Sequence, residues 1–93
     1  MLMDENIMTD DELLEQCKIG LGFEIEDVDF NKRIKQKMLQ VKMVMKKAGV
    51  SDEDITSELG IGAIVIGISD LWDLKAGEIK FSPAFLTLTT QLA

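Results

Sequence analysis

The side chains best equipped for chemistry in this chain are one cysteine, two short runs of acids and a block of lysines. Histidine is absent, which removes the commonest general base, the commonest metal ligand and every Ser–His or Cys–His nucleophile pair. Cys17 is the only cysteine, so it can neither close a disulfide within the chain nor build a cysteine-rich zinc site. It shares a helical stripe with Leu13, Leu14 and Leu21 and reads as a core residue. Asp10-Asp11-Glu12 and Asp52-Glu53-Asp54 are metal-like in composition alone. Neither has the alternating ligands and glycine of a calcium loop, and both stand where a helix start favours negative charge. Gly60, Gly62 and Gly67 lie in an apolar run without lysine, unlike a phosphate-binding loop. These residues predict no catalytic residue, no metal site and no cofactor, and the expectation is a protein that is not an enzyme.

The charge is laid out in blocks. Residues 1–29 hold ten acids and one lysine, residues 30–51 seven bases and no acid, and residues 52–93 seven acids and two lysines, for a net charge of −7. The basic block is Lys32, Arg33, Lys35, Lys37, Lys42, Lys46 and Lys47. It can neutralise acids of its own subunit, or steer one copy of the protein against another. A nucleic-acid reading has less support, because the charges face several directions and no aromatic is interleaved for stacking.

The element that must position this block is a helix from Asp27 to Gly49. Ile34, Met38, Val41, Met45 and Ala48 recur at spacings of four and three and predict one buried face. Leu39 and Met43 fall four apart on a different face, a candidate second contact surface. Asp27 suits the N-cap. Lys46 and Lys47 in the last turn, Gly49 in the left-handed position and Val50 folding back on Met45 predict a Schellman ending. Upstream, Thr9 to Glu12 spells a capping box, with Met8 and Leu13 as its hydrophobic staple, and Gly20 or Gly22 ends that helix.

Downstream, Ser51 caps a further helix whose apolar pair is Ile55 and Leu59. The stretch Gly60 to Ile68 reads by propensity as a buried strand and by period as a helix. The helix, from about Ser57 to Lys75, is favoured, with Ala63 and Gly67 as a notch for a neighbouring helix. Being apolar nearly all round, it should be the buried element. Ala76-Gly77 should end it, with an extended linker over 78–81. Ser82-Pro83 then reads as N-cap and first helical residue. Phe85, Leu88 and Leu92 have helical spacing, although Leu86 to Thr89 alternates like a strand.

With 93 residues, 46% hydrophobic and 29% charged, the chain suits a single folded domain. The expected fold is all-α, a small bundle of four to five helices with a long central helix, and residues 1–8 flexible. A core this small gains from a partner or self-assembly. No segment reaches the apolar length of a membrane span, and acids near Met1 argue against a secretory signal.

Several short motifs share an order: Thr9-Asp10-Asp11-Glu12-Leu13-Leu14, Leu21-Gly22, Lys46-Lys47-Ala48-Gly49-Val50-Ser51, Gly67-Ile68-Ser69-Asp70-Leu71-Trp72, Gly77 to Pro83, and a terminal Gln91-Leu92-Ala93. In this the chain resembles the small head–tail connector (adaptor, or head-completion) proteins of tailed phages and prophages of Gram-positive bacteria, from about Thr9 to its end. The resemblance implies a helical structural protein that docks beneath the phage portal protein. Copies would form a ring, a cyclic homo-oligomer, and offer a surface to the next connector or tail protein. DNA would pass through without sequence-specific binding, and the location would be the virion's head–tail junction after assembly in the host cytoplasm. The acidic segment Phe23 to Asp29, and the lack of bases in Leu86 to Thr90, depart from what the family leads one to expect. Candidate subunit or portal contacts are Lys35, Leu39, Lys42, Met43, Phe85, Leu88 and Leu92, with Gly49, Ala63, Gly67, Trp72 and Pro83 in structural roles. The alternative is a small DNA-binding or regulatory module using the basic helix 30–48.

Overall fold

A computed structural model describes residues 8–24, 26–74 and 78–93. The fourth helix ends at Trp72 with Asp73 as its C-cap, short of the expected Lys75, because the chain turns at Asp73. Ala76-Gly77, and all but Met8 of the expected flexible lead-in, lie outside the described residues. Five helices follow in order: α1 Asp10–Leu21, α2 Val28–Lys47, α3 Asp52–Ile55, α4 Glu58–Trp72 and α5 Pro83–Leu92. Among the described residues there is no strand, so the all-α expectation holds. Backbone hydrogen bonding settles Gly60 to Ile68 as helix despite its β-branched residues, because burial on several sides outweighs local propensity.

The caps form as their residue types dictate. The Thr9 N–H donates to Glu12 Oε1 at 2.9 Å and the Glu12 N–H to Thr9 Oγ1 at 3.2 Å, completing the capping box. Asp27 Oδ1 accepts from the Phe30 N–H at 2.9 Å. Ser51 Oγ accepts from Asp54, Ser57 Oγ from Gly60 and Ser82 Oγ from Phe85. α1 ends at Gly22, and Gly20 lies inside it. α2 ends as expected: the Val50 N–H donates to the Met45 carbonyl and the Gly49 N–H to the Lys46 carbonyl, both at 3.0 Å, with Gly49 at φ 104°.

α2 is the longest helix, with 20 residues, but α4 occupies the spatial centre and packs against α1, α2, α3 and α5. Ile34, Met38, Val41 and Met45 of α2 are fully buried. Ala48, read as the fifth member of that stripe, is exposed, because the chain leaves the helix there as its C-cap. The notch exists: Ala63 and Gly67 are buried, and a Cβ on Gly67 would stand 2.7 Å from Val41 Cγ1 and 2.9 Å from Phe85 Cε1. The missing side chain therefore lets α2 and α5 close on α4 from two sides. Leu59, paired with Ile55 on sequence, parts from it. Ile55 is fully buried, whereas α3 stops after one turn and Leu59, now in the first turn of α4, is 63% exposed.

α5 is pinned at its start. Asp70 Oδ2 on α4 accepts from both the Ser82 N–H at 2.9 Å and the Ser82 hydroxyl at 2.8 Å. Ser82 thus caps α5 and ties it to α4, and Phe85 enters the core one turn later with no exposed surface. Burial of a side chain of that size contributes about 1.5–3 kcal/mol.

Candidate interaction surface

The outward face of α2 is built by the same period that buries its inward face. Opposite Ile34, Met38, Val41 and Met45 come the exposed Val28, Lys32, Leu39, Met43 and Lys46, flanked on the α1 side by the half-buried Lys35 and Lys42. Leu39 is 39% and Met43 59% exposed, an apolar pair one turn apart. With Lys42, Lys46 and Lys47 they line a shallow depression of about 520 Å³. This arrangement fits contact with a macromolecule better than capture of a small molecule, which calls for a deep, mostly enclosed cleft.

Three of the seven basic residues of the block are ion-paired within the subunit. Lys35 Nζ lies 3.0 Å from Asp11 Oδ1 and Lys42 Nζ 2.8 Å from Asp10 Oδ1, bracing α2 against α1. Lys46 Nζ lies 3.2 Å from Asp52 Oδ1 of α3. Arg33 and Lys37 stand over the Trp72 ring, at 5.4 and 5.9 Å from its centroid. At an exposed site such as this, each cation–π contact is worth about 0.5–1 kcal/mol. Among the described residues Lys32 and Lys47 have no ion-pair partner.

Trp72 belongs to a ring cluster that its sequence position does not announce. Phe23 and Phe30 meet edge to face at 5.0 Å, and each also approaches Trp72, at 5.9 and 5.7 Å. The cluster fastens the acidic connection between α1 and α2 onto the end of α4. Lys18 is a second surprise, buried to 3% side-chain exposure, with Nζ 3.3 Å from Glu26 Oε1 and 3.8 Å from Glu15 Oε2. Its stem covers apolar surface while its head reaches two carboxylates on the rim. The sequence signal was present: Lys18 is the lone base among ten acids in residues 1–29 and follows Leu14 by four.

The structure sorts the candidate contact residues. It brings Lys35, Leu39, Lys42 and Met43 together on the outer face of α2, the two lysines already paired to α1. It does not bring Phe85 there. Phe85 is fully buried and stacks on Phe81 at 4.3 Å, so it has no surface to offer a neighbour. Leu88 and Leu92 are half-buried against the same core. Gly49, Ala63, Gly67, Trp72 and Pro83 occupy the turn, notch, cluster and cap described above.

Cys17 is fully buried, and burial pushes its thiol from an ordinary 9.0 up to about 12. Among the described residues no three His, Cys, Asp or Glu side chains gather as a metal cage. No described helix is long and apolar enough to cross a membrane.

The molecule is thus a small all-helical domain whose most distinctive surface is an apolar and basic helix face. No family model, curated protein or solved structure matches the chain.

Proposed function

We propose that the chain is a structural virion protein, a head–tail connector subunit that joins a ring beneath a phage portal and offers a surface to the next connector or tail protein. The observation that carries this reading is the outer face of α2. Exposed Leu39 and Met43 sit among lysines that the domain has itself partly neutralised. A surface built to hold a polyanion would keep its cations free for phosphates. Here Lys35, Lys42 and Lys46 are each committed to an acid, and the apolar pair between them suits protein contact. The order of motifs quoted above supports the connector class within that broader reading. The overall negative charge suits a channel wall that DNA slides past, provided acids line it.

Light scattering on size-fractionated protein, alone and with a cognate portal protein, tests the proposal. The expected result is a ring, or a complex that appears only when the portal is added. A strict monomer that ignores the portal and binds duplex DNA with a steep salt dependence would favour the DNA-binding module instead.

A further inference from the structure

We infer that the outer face of α2 docks head to tail on the corner between α3 and α4 of a second copy of this chain. The inference supplies the two faces of the ring contact proposed above and rests on that reading for closure into a ring.

The corner is a compact unit. The Ser57 hydroxyl donates to the Asp54 carbonyl at 2.6 Å and accepts from the Gly60 N–H at 3.1 Å. A Cβ at Gly60 would collide with the Asp54 and Ile55 carbonyls, so α4 starts directly against the end of α3. Asp52 turns to Lys46. Asp54 follows about 200° further round the helix, which directs the rest of the corner away from α2. Glu53, Asp54 and Glu58 are exposed and have no ion-pair partner among the described residues. Leu59, 63% exposed, follows Glu58 in the first turn of α4, on the same corner.

The two faces are complementary in both properties that matter. One presents Leu39 and Met43 beside Lys46 and unpaired Lys47; the other presents Leu59 beside unpaired acids. Symmetric pairing of either face with itself would set lysine against lysine or carboxylate against carboxylate, which opposes association. Only the unlike pairing joins apolar to apolar and cation to anion. A contact between two different faces of one chain is heterologous, and repetition gives a closed ring or an open filament.

Two variants with one added cysteine each read the contact directly, since Cys17 is buried and does not compete. Met43→Cys and Leu59→Cys replace exposed side chains, and circular dichroism checks that each remains folded. Mixed in equal amounts at high protein concentration under mild oxidation, they should form the mixed disulfide several-fold above either like pair. Lys47→Glu in the Met43→Cys protein should abolish the excess, and Glu58→Lys in its partner should restore it. Random pairing, dominance of a like pair, or a mixed excess indifferent to both charge changes would each overturn the inference. If the protein binds the portal while pairing is random, the connector reading stands and this contact falls. If pairing is selective but the portal is ignored, the contact stands and the connector reading falls.

Discussion

At the residue scale, two glycines of α4 should respond in opposite directions to the same change. A Cβ at Gly67 would stand 2.7 and 3.0 Å from the two γ-methyls of Val41 and 2.9 Å from Phe85 Cε1. Val41 is stiff at χ1 and Phe85 is held by the core, so relief requires the helices to move apart. Gly67→Ala should cost about 1–3 kcal/mol, the range of overpacking changes. At Gly62 an added Cβ meets nothing within 4 Å. Gly62→Ala should stabilise by about 0.5–1 kcal/mol through helix propensity alone. For a domain this small each kcal/mol shifts the midpoint by about 4–8 °C, which thermal unfolding followed by circular dichroism resolves. Cys17 gives a pH prediction. With its thiol pushed up to about 12 in the fold against 9.0 in an ordinary setting, the unfolded chain loses the proton first as pH rises. Its contribution is therefore complete below pH 9 and is lost between 9 and 12. Cys17→Ala should flatten that part of the stability profile, and the native thiol should react with maleimide at neutral pH only as fast as the protein opens.

At the scale of elements, α5 depends on a single partner helix. It packs chiefly on α4, through Phe85 in the Gly67 notch and through the two hydrogen bonds from Ser82 to Asp70. Asp70→Ala leaves the Ser82 N–H and hydroxyl without their acceptor, at a cost of about 1–3 kcal/mol. The loss should fall on α5: amide exchange over 83–92 should accelerate more than over α2. Uniform acceleration across all helices would show instead that α5 unfolds only with the whole domain. Helix starts, and the end of α2, were legible in the residues because a cap is a local event; the end of α4, expected near Lys75, falls at Trp72. Thr9, Asp27, Ser51, Ser82 and Gly49 each act within four positions of themselves. The inward stripe of α2 was legible for the same reason, since period is a property of one segment. The Asp70–Ser82 link, the Phe23–Phe30–Trp72 cluster and the Lys18–Glu26 pair join residues seven to 49 positions apart. Their partners are chosen by the packing of whole helices, and no spacing rule reaches that far. Ala48 and Leu59 were misplaced by extending a period one step beyond the element that generates it.

At the scale of the whole molecule, the basic block proves to be a seam before it is a surface. Lys35 and Lys42 hold α2 to α1 through Asp11 and Asp10, so these lysines are poor probes of assembly. Reversing either sets like charges at ion-pair distance, disturbing the α1–α2 seam and any outside contact together. Leu39 and Met43 separate the two effects, because both are exposed and neither belongs to the core. The double change Leu39→Ser with Met43→Ser should alter folding stability by less than about 1 kcal/mol, the usual range for surface sites. It should weaken self-association or portal binding at least tenfold if the apolar pair lies at the centre of the contact, where truncation costs more than about 1 kcal/mol per residue. Binding to duplex DNA, if there is any, should survive that change, since it leaves every cation in place, and should fall with added salt. Denaturant titration and analytical ultracentrifugation on the same preparation measure both quantities. If association persists while stability falls, the outer face of α2 supports the bundle rather than a neighbour, and the interaction surface must be sought on another helix.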